Sequence, residues 1–315
     1  MPDPALVPLN SAALTPGLRP IPIRKNRFPP PKRRYSVTSD VLAYRRCKRQ
    51  YGFFARRGYV SAQSGQLFFG TVIHQTLDKA HAHYRGELEG THPEDVPTDE
   101  DIDRYFDQVA DALEGQGVRR MSDASRDSAR EYVKAFNREF GRKQNVYKRI
   151  IDTEHRLQKD KGDYILHGII DVVAQAEGGE GWGSYEIWDY KGAKRPGNTR
   201  SGKTDMQNYE FQMRVYAHLY ELRNGVRPKR AIVWFLGEPN PGNQQHEVDL
   251  SESNISAAVD VFEQAVRNIE QSIRTNDWSK ITKADAPGEK TCVACDLRWN
   301  CPAVGGKYRI ETRVL

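Results

Sequence analysis

Two aspartates and a lysine are the residues of this chain best suited to hydrolytic chemistry. Asp171 stands between Ile170 and Val172 inside the largely apolar run Leu166 to Val173. An unpaired carboxylate buried in such a run costs several kcal/mol, so it needs a cation or strong donors beside it. A hard divalent ion is one such partner, since Mg2+ and Mn2+ take oxygen ligands; backbone amides at a strand end are the other. The second group is Ile187-Trp188-Asp189-Tyr190-Lys191, at the end of a strand-like run. Side chains alternate along a strand, so Asp189 and Lys191 share a face and Glu186 points the other way. Alone, the pair reads as a surface ion pair; with Asp171 on a neighbouring strand, it reads as part of a site holding Mg2+ or Mn2+.

The four cysteines suggest a second centre. Cys47 is isolated near the start, while Cys292, Cys295 and Cys301 form C-x2-C-x5-C followed by Pro302. Cysteines so close together make poor local disulfides, and thiolate ligation of a soft metal is the better reading. Structural zinc and an iron-sulfur cluster both fit four thiolates. The lone distant cysteine, the tight trio and the following proline favour iron; zinc and unligated core cysteines are the alternatives.

The elements that must position these groups follow from periodicity and punctuation. A helix is predicted from Ser39 to about Arg57, carrying Cys47, and another from about Leu67 to Tyr84, carrying His74 among Val72, Ile73 and Leu77. A lone helix histidine is more often packed or solvated than a ligand. A polar loop from Glu87 to about Thr98 precedes helices near 99 to 114 and 122 to 143, so residues about 87–145 read as a helical insertion. Strands are predicted at Tyr147 to Gln158, Tyr164 to Ala176 and Trp182 to Lys191. A helix over Met206 to Arg223, strands at Ala231 to Leu236 and His246 to Leu250, and a helix from Ser251 or Ser253 to about Arg274 complete the order. That order predicts an α/β fold, a mixed sheet with helices packed on it.

The chain has 315 residues, enough for one large domain or two small ones. Mean hydropathy is −0.75 with 29% charged residues, and no apolar run is long enough to span a bilayer. The opening residues lack the layout of a secretory signal, so a cytoplasmic location is expected. Residues 1–34 hold seven basic side chains against Asp3, which equals the formal net charge of +6, and nine of the 17 prolines. They read as a disordered basic arm, either an inert tail or a source of salt-sensitive affinity for nucleic acid. The domain proper is expected at 35–315, with the cluster-binding region at 290–302.

Taken in order, the motifs resemble the RecB-like branch of the PD-(D/E)xK nuclease superfamily, which includes AddB-type and CRISPR-associated adaptation nucleases. The pieces are Cys47, the G-x3-H element Gly70 to His74, Gly168-Ile169-Ile170-Asp171, Asp189-Tyr190-Lys191, the Q-x3-Y pair Gln212 and Tyr216, and the cysteine trio with Pro302. The resemblance covers roughly Tyr35 to Pro302. It implies a restriction-endonuclease-like domain in which His74, Asp171, Asp189 and the Tyr190 carbonyl bind the catalytic Mg2+ or Mn2+. Lys191 would position or activate the attacking water, and Gln212 and Tyr216, one turn apart, would contact the site or the DNA backbone. Cys47, Cys292, Cys295 and Cys301 would hold a 4Fe-4S cluster as a staple closing a loop of about 250 residues. The proline that often precedes the first acidic motif is absent here.

The implied activity is metal-dependent cleavage of DNA, single-stranded or at ends, in repair, recombination or CRISPR-type processing. No Ser or Cys stands beside the acids as a nucleophile, so hydrolysis would be direct, and any helicase would be a partner protein. A catalytically inactive DNA-binding or scaffold module is the alternative. A rival motif, Gly197 to Thr204, matches the G-x4-G-K-T phosphate loop and would imply nucleotide binding. It is separated from the strand ending at Lys191 by a loop containing Pro196, and no apolar strand ending in Asp follows it.

Overall fold

The computed structural model describes residues 32–56, 65–119, 121–179, 181, 183–278, 287, 289–293, 295–298 and 301. Most of the basic arm therefore lies outside the described residues. Arg33 and Arg34, assigned to that arm by composition, instead form strand β1 (Arg33–Tyr35). The continuous helix expected from Ser39 is four short helical pieces: Val37–Leu42, α1 (Ala43–Arg46), α2 (Lys48–Tyr51) and Gly52–Arg56. Ser36, not Ser39, caps the first piece, and the path breaks at Cys47, whose backbone is extended (φ −160°, ψ 102°).

Helix α3 (Gly65–Tyr84) is followed by the insertion, α4 (Asp99–Gly115) and α5 (Asp123–Phe136). Thr98 and Asp101 form a reciprocal capping box that starts α4, satisfying amides the helix itself leaves unpaired. Then come β2 (Ile150–Asp160), β3 (Tyr164–Gln175), β4 (Tyr185–Lys191), α6 (Arg200–Asn224), β5 (Arg230–Phe235), β6 (Gln245–Glu247), α7 (Glu252–Thr275) and the short α8 (Glu289–Val293). Helix α6 begins six residues before the expected start. Thr199 caps it, and Gly225 ends it in the left-handed region at φ 74°.

Strand β3 is the hub of a mixed six-stranded sheet. One edge pairs antiparallel with β2; the other pairs parallel with β1 over Tyr164–Leu166 and antiparallel with β4 over Val172–Gln175. Parallel β5 and antiparallel β6 extend the sheet beyond β4. Between the β1 and β4 pairings, that edge of β3 is free of strand partners. On the α6 face of β3, the ring of Tyr216 lies against Gly168: a Cβ there would come within 2.8 Å of it, so the glycine admits the aromatic ring.

Each sheet face carries its own core. Ile187, Val233 and Phe235 pack with Phe211, Leu219 and Phe262 on the α6 and α7 side. Trp188, Tyr190 and Trp234 pack with Phe68, Ile73, Phe106 and Phe136 on the side of α3 and the insertion. The alternation expected of strands holds through β4 and β5, and the expected α/β class is what forms. Glu186 is fully buried on the insertion side, held by Arg149 at 2.9 Å and by the Trp188 indole N–H at 2.8 Å. Among the described residues no helix is long and apolar enough to cross a membrane.

Candidate active site

The side-chain alternation of the central hairpin breaks at one point. On β3, Leu166 and Ile170 face the α6 core, yet Val172 and Ala174 face the insertion core. Opposite, His155 packs near Tyr220 of α6, whereas the Thr153 hydroxyl donates to Asp78 of α3 at 2.6 Å. Glu154, between them, has φ +49°, a left-handed conformation rare for a non-glycine residue and typical of strained functional positions. Hairpin register sets Glu154 across from Asp171, since Thr153 pairs with Val172 and His155 with Ile170. The switch of faces turns both carboxylates into a cleft of about 880 Å3 lined also by His74, Gln75, Asp78 and Arg156.

His74 Nδ1 lies 3.3 Å from Asp171 Oδ2. Its ring stands edge-on to Tyr190, centroids 6.4 Å apart. Burial alone would lower the His74 pKa, but the adjoining Asp171 carboxylate outweighs it and lifts the value to about 9. Burial likewise works against ionised Asp171, but His74 and Lys191 hold its pKa below the usual range. Glu154 is pushed up, first by burial and then by Asp171.

A second set adjoins the first. Lys191 Nζ lies 2.6 Å from Asp189 Oδ2, and Gln212 donates to Asp189 Oδ1 at 2.9 Å. Gln212 also accepts weakly from Lys191 at 3.5 Å, and the Lys191 ammonium lies 5.1 Å from the centre of the Tyr209 ring. Burial opposes the charge on Lys191, but Asp189 and Asp171 outweigh it and raise its pKa, so the ammonium stays protonated at neutral pH. Asp189 is pushed up by burial; Lys191 pulls it back, and Asp171 pushes the same way as burial. Asp189 Oδ2 is buried and, its ion pair apart, makes no hydrogen bond.

Of the expected site residues, the structure brings His74 and Asp171 into contact, joins Asp189, Lys191 and Gln212, and sets the two groups within electrostatic reach of each other. The surface-ion-pair alternative for Asp189 and Lys191 does not describe them: Asp189 is 3% exposed. Tyr190 brings its N–H to the site, donating to Asp171 at 2.7 Å. Tyr216 is buried, its hydroxyl near Gln212.

His74, Glu154 and Asp171 present ligand atoms within 4.8 Å of one another, a nitrogen and carboxylate oxygens suited to Mg2+ or Mn2+. Asp189, with its poorly satisfied buried oxygen, borders that trio. Glu154 escaped the sequence reading, yet the turn at Lys161-Gly162-Asp163 carried the signal. Equal counts outward from the Gly162–Asp163 peptide bond, with Asp160 paired to Ile165, reach Glu154 and Asp171 together.

Among the described residues no disulfide joins the four cysteines. Cys47 caps α2, accepting from the Gln50 N–H, and burial raises its pKa, with Cys295 and Cys301 close enough to add to the effect. Cys292 donates to the Pro287 carbonyl at 3.6 Å. Pro302 lies outside the described residues. In the G-x4-G-K-T segment, Arg200 to Thr204 are already inside α6, and the Thr204 hydroxyl is taken by the Arg200 carbonyl at 3.0 Å.

No curated protein matches the chain. Among solved structures, a candidate exonuclease of Eubacterium rectale is 13% identical and superposes with a TM-score of 0.38, covering 73% of this chain and 82% of that one. The model of the PD-(D/E)XK nuclease superfamily matches residues 35–302. With most of its length matched by that model, the chain belongs to the PD-(D/E)XK nuclease superfamily.

Proposed function

We propose that this nuclease hydrolyses phosphodiester bonds of DNA, acting on single strands or ends, with His74, Glu154, Asp171 and Asp189 holding one or more divalent ions. The convergence of His74, Glu154 and Asp171 within 4.8 Å carries this reading. A divalent ion there supplies a water nucleophile usable at neutral pH and a counter-charge for phosphate oxygens. The Tyr190 carbonyl, at the end of the same strand, is a further oxygen ligand by family resemblance. Asp171 is fixed by the Tyr190 N–H and Asp189 by Gln212, so two carboxylates are oriented before substrate arrives. Lys191 is placed to donate a positive hydrogen bond to the scissile phosphate or to position the attacking water. Tyr216 steadies Gln212 from below.

The test is cleavage of end-labelled single- and double-stranded DNA by the purified protein with Mn2+ or Mg2+, beside Asp189→Asn. Metal-dependent cleavage lost in the variant supports the reading. Intact DNA at every salt concentration, with DNA still bound, would instead indicate a binding module. A role in repair, recombination or CRISPR-type processing, with a helicase or adaptation partner, follows from the family resemblance, as does a cytoplasmic location.

Cys47, Cys292, Cys295 and Cys301 are proposed to hold a 4Fe-4S cluster, with zinc as the alternative. The proximity of Cys47 to Cys295 and Cys301 across most of the chain supports ligation. Anaerobic purification with iron, sulfide and zinc analysis decides: a colourless zinc protein defeats the cluster and leaves the nuclease assignment standing.

A further inference from the structure

Tyr209 lies outside every expected motif, three residues before Gln212 and seven before Tyr216, which places all three on one face of α6. Its ring is braced against Phe235 of β5, centroids 5.8 Å apart, and its face meets the Lys191 ammonium at 5.1 Å. We propose that Tyr209 is a positioning residue for Lys191, holding the ammonium through its ring face and not through its hydroxyl. The inference rests on the nuclease reading of the site.

The reason lies in what else holds Lys191. Its close anionic partner is Asp189 Oδ2 at 2.6 Å, and its contact with Gln212 is a long 3.5 Å. On the nuclease reading Asp189 is also a cation ligand, and a carboxylate shared with a divalent ion attracts an ammonium less. A π face attracts the ammonium without taking its proton and leaves its N–H bonds free for a phosphate oxygen. Tyr209 offers such a face to Lys191, and its bracing on Phe235 holds the ring in one orientation. The sequence stripe is thus Tyr209-x2-Gln212-x3-Tyr216, one aromatic longer than the family pair.

The test compares Tyr209→Phe, which keeps the face and removes the hydroxyl, with Tyr209→Leu, which removes the face. Steady-state cleavage of labelled DNA with Mn2+ should show kcat reduced by roughly 3- to 30-fold in Tyr209→Leu, the range expected of a partly desolvated cation–π contact, with KM changed less than kcat. Tyr209→Phe should retain at least about a third of wild-type kcat, since the face survives. An independent readout uses lysine-selective 13C labelling. The Lys191 ε-CH2 signal, assigned by its loss in Lys191→Ala, should lie upfield of the other lysines in wild type and Tyr209→Phe, and return to the common position in Tyr209→Leu. Wild-type protein that cleaves no DNA sinks the nuclease reading and this inference together. Wild-type protein that cleaves, with Tyr209→Leu equal to it or with no displaced lysine signal, overturns the inference alone.

Discussion

Asp171 accepts the Tyr190 N–H at 2.7 Å just where the ladder between β3 and β4 stops, its last pair being Val172 with Trp188. A side-chain oxygen thus takes the place of the next strand carbonyl. Beyond that point Asp189 and Lys191 keep the α6 face that β4's alternation gives them, while Asp171 reaches His74 on α3. Both readings of Asp171 considered from sequence, a carboxylate satisfied by a backbone amide and a metal ligand, therefore coexist in one side chain.

Asp171→Asn separates them. The amide oxygen can still accept from Tyr190, so the fold should survive with a melting temperature within a few degrees of wild type. Loss of the anion should lower metal-dependent cleavage by about 100-fold or more, the scale of a lost electrostatic stabiliser. Asp171→Ala also strands the Tyr190 N–H and should cost about 1–3 kcal/mol in denaturant unfolding.

Glu154 should behave in the opposite sense in the metal-free protein. Burial, and then Asp171, raise its pKa, so its ionised form is unfavourable in the folded state and stability falls as pH rises above its ordinary value of 4.5. Glu154→Gln should therefore melt higher than wild type in EDTA at neutral pH. The same change should shrink the Mn2+-induced rise in melting temperature, because a ligand is gone. Lower stability in EDTA would count against Glu154 as a strained metal ligand.

His74 supplies the pH dependence. Its folded pKa of about 9 lies above the ordinary 6.5, so its contribution to metal-free stability is complete below pH 6.5 and is lost as pH rises through about 9. Ligation needs the neutral imidazole, so Mn2+ affinity should climb with pH over that window. Calorimetric titration at several pH values checks this, and His74→Gln should flatten the slope.

What could be read from the chain beforehand follows the reach of each physical rule. Period-2 alternation is local, and it placed Asp189 and Lys191 on one face and Glu186 on the other, as found. Helix spacing placed His74 on a buried helix, but its contact with Asp171 depends on how α3 crosses the sheet, and only the family resemblance anticipated it. Glu154 was hidden because its strand turns over at a left-handed residue, which no alternation rule reports. The break at Cys47 was missed for a similar reason: helical spacing continues through a residue whose backbone is extended. Gly202, with glycine's low helix propensity, made the start of α6 look like loop, and Thr199 as cap overrode it.

The two lysines that sequence offers as phosphate binders give the sharpest contrast. Lys191 is held between Asp189, Gln212 and the Tyr209 ring, so it arrives at a bound phosphate already placed. Lys203 is an exposed residue in the first turn of α6, where a lost charge acts through solvent and is screened by salt. Lys191→Ala should therefore cost about 3 kcal/mol of transition-state stabilisation or more, roughly 100-fold in kcat, independent of ionic strength. Lys203→Ala should weaken DNA binding slightly and lose even that effect as salt is raised. Cleavage assays at two salt concentrations distinguish them. ATP turnover that required Lys203 would reverse the assignment, making the α6 loop the working site and leaving the cleft between His74 and Asp189 without a role.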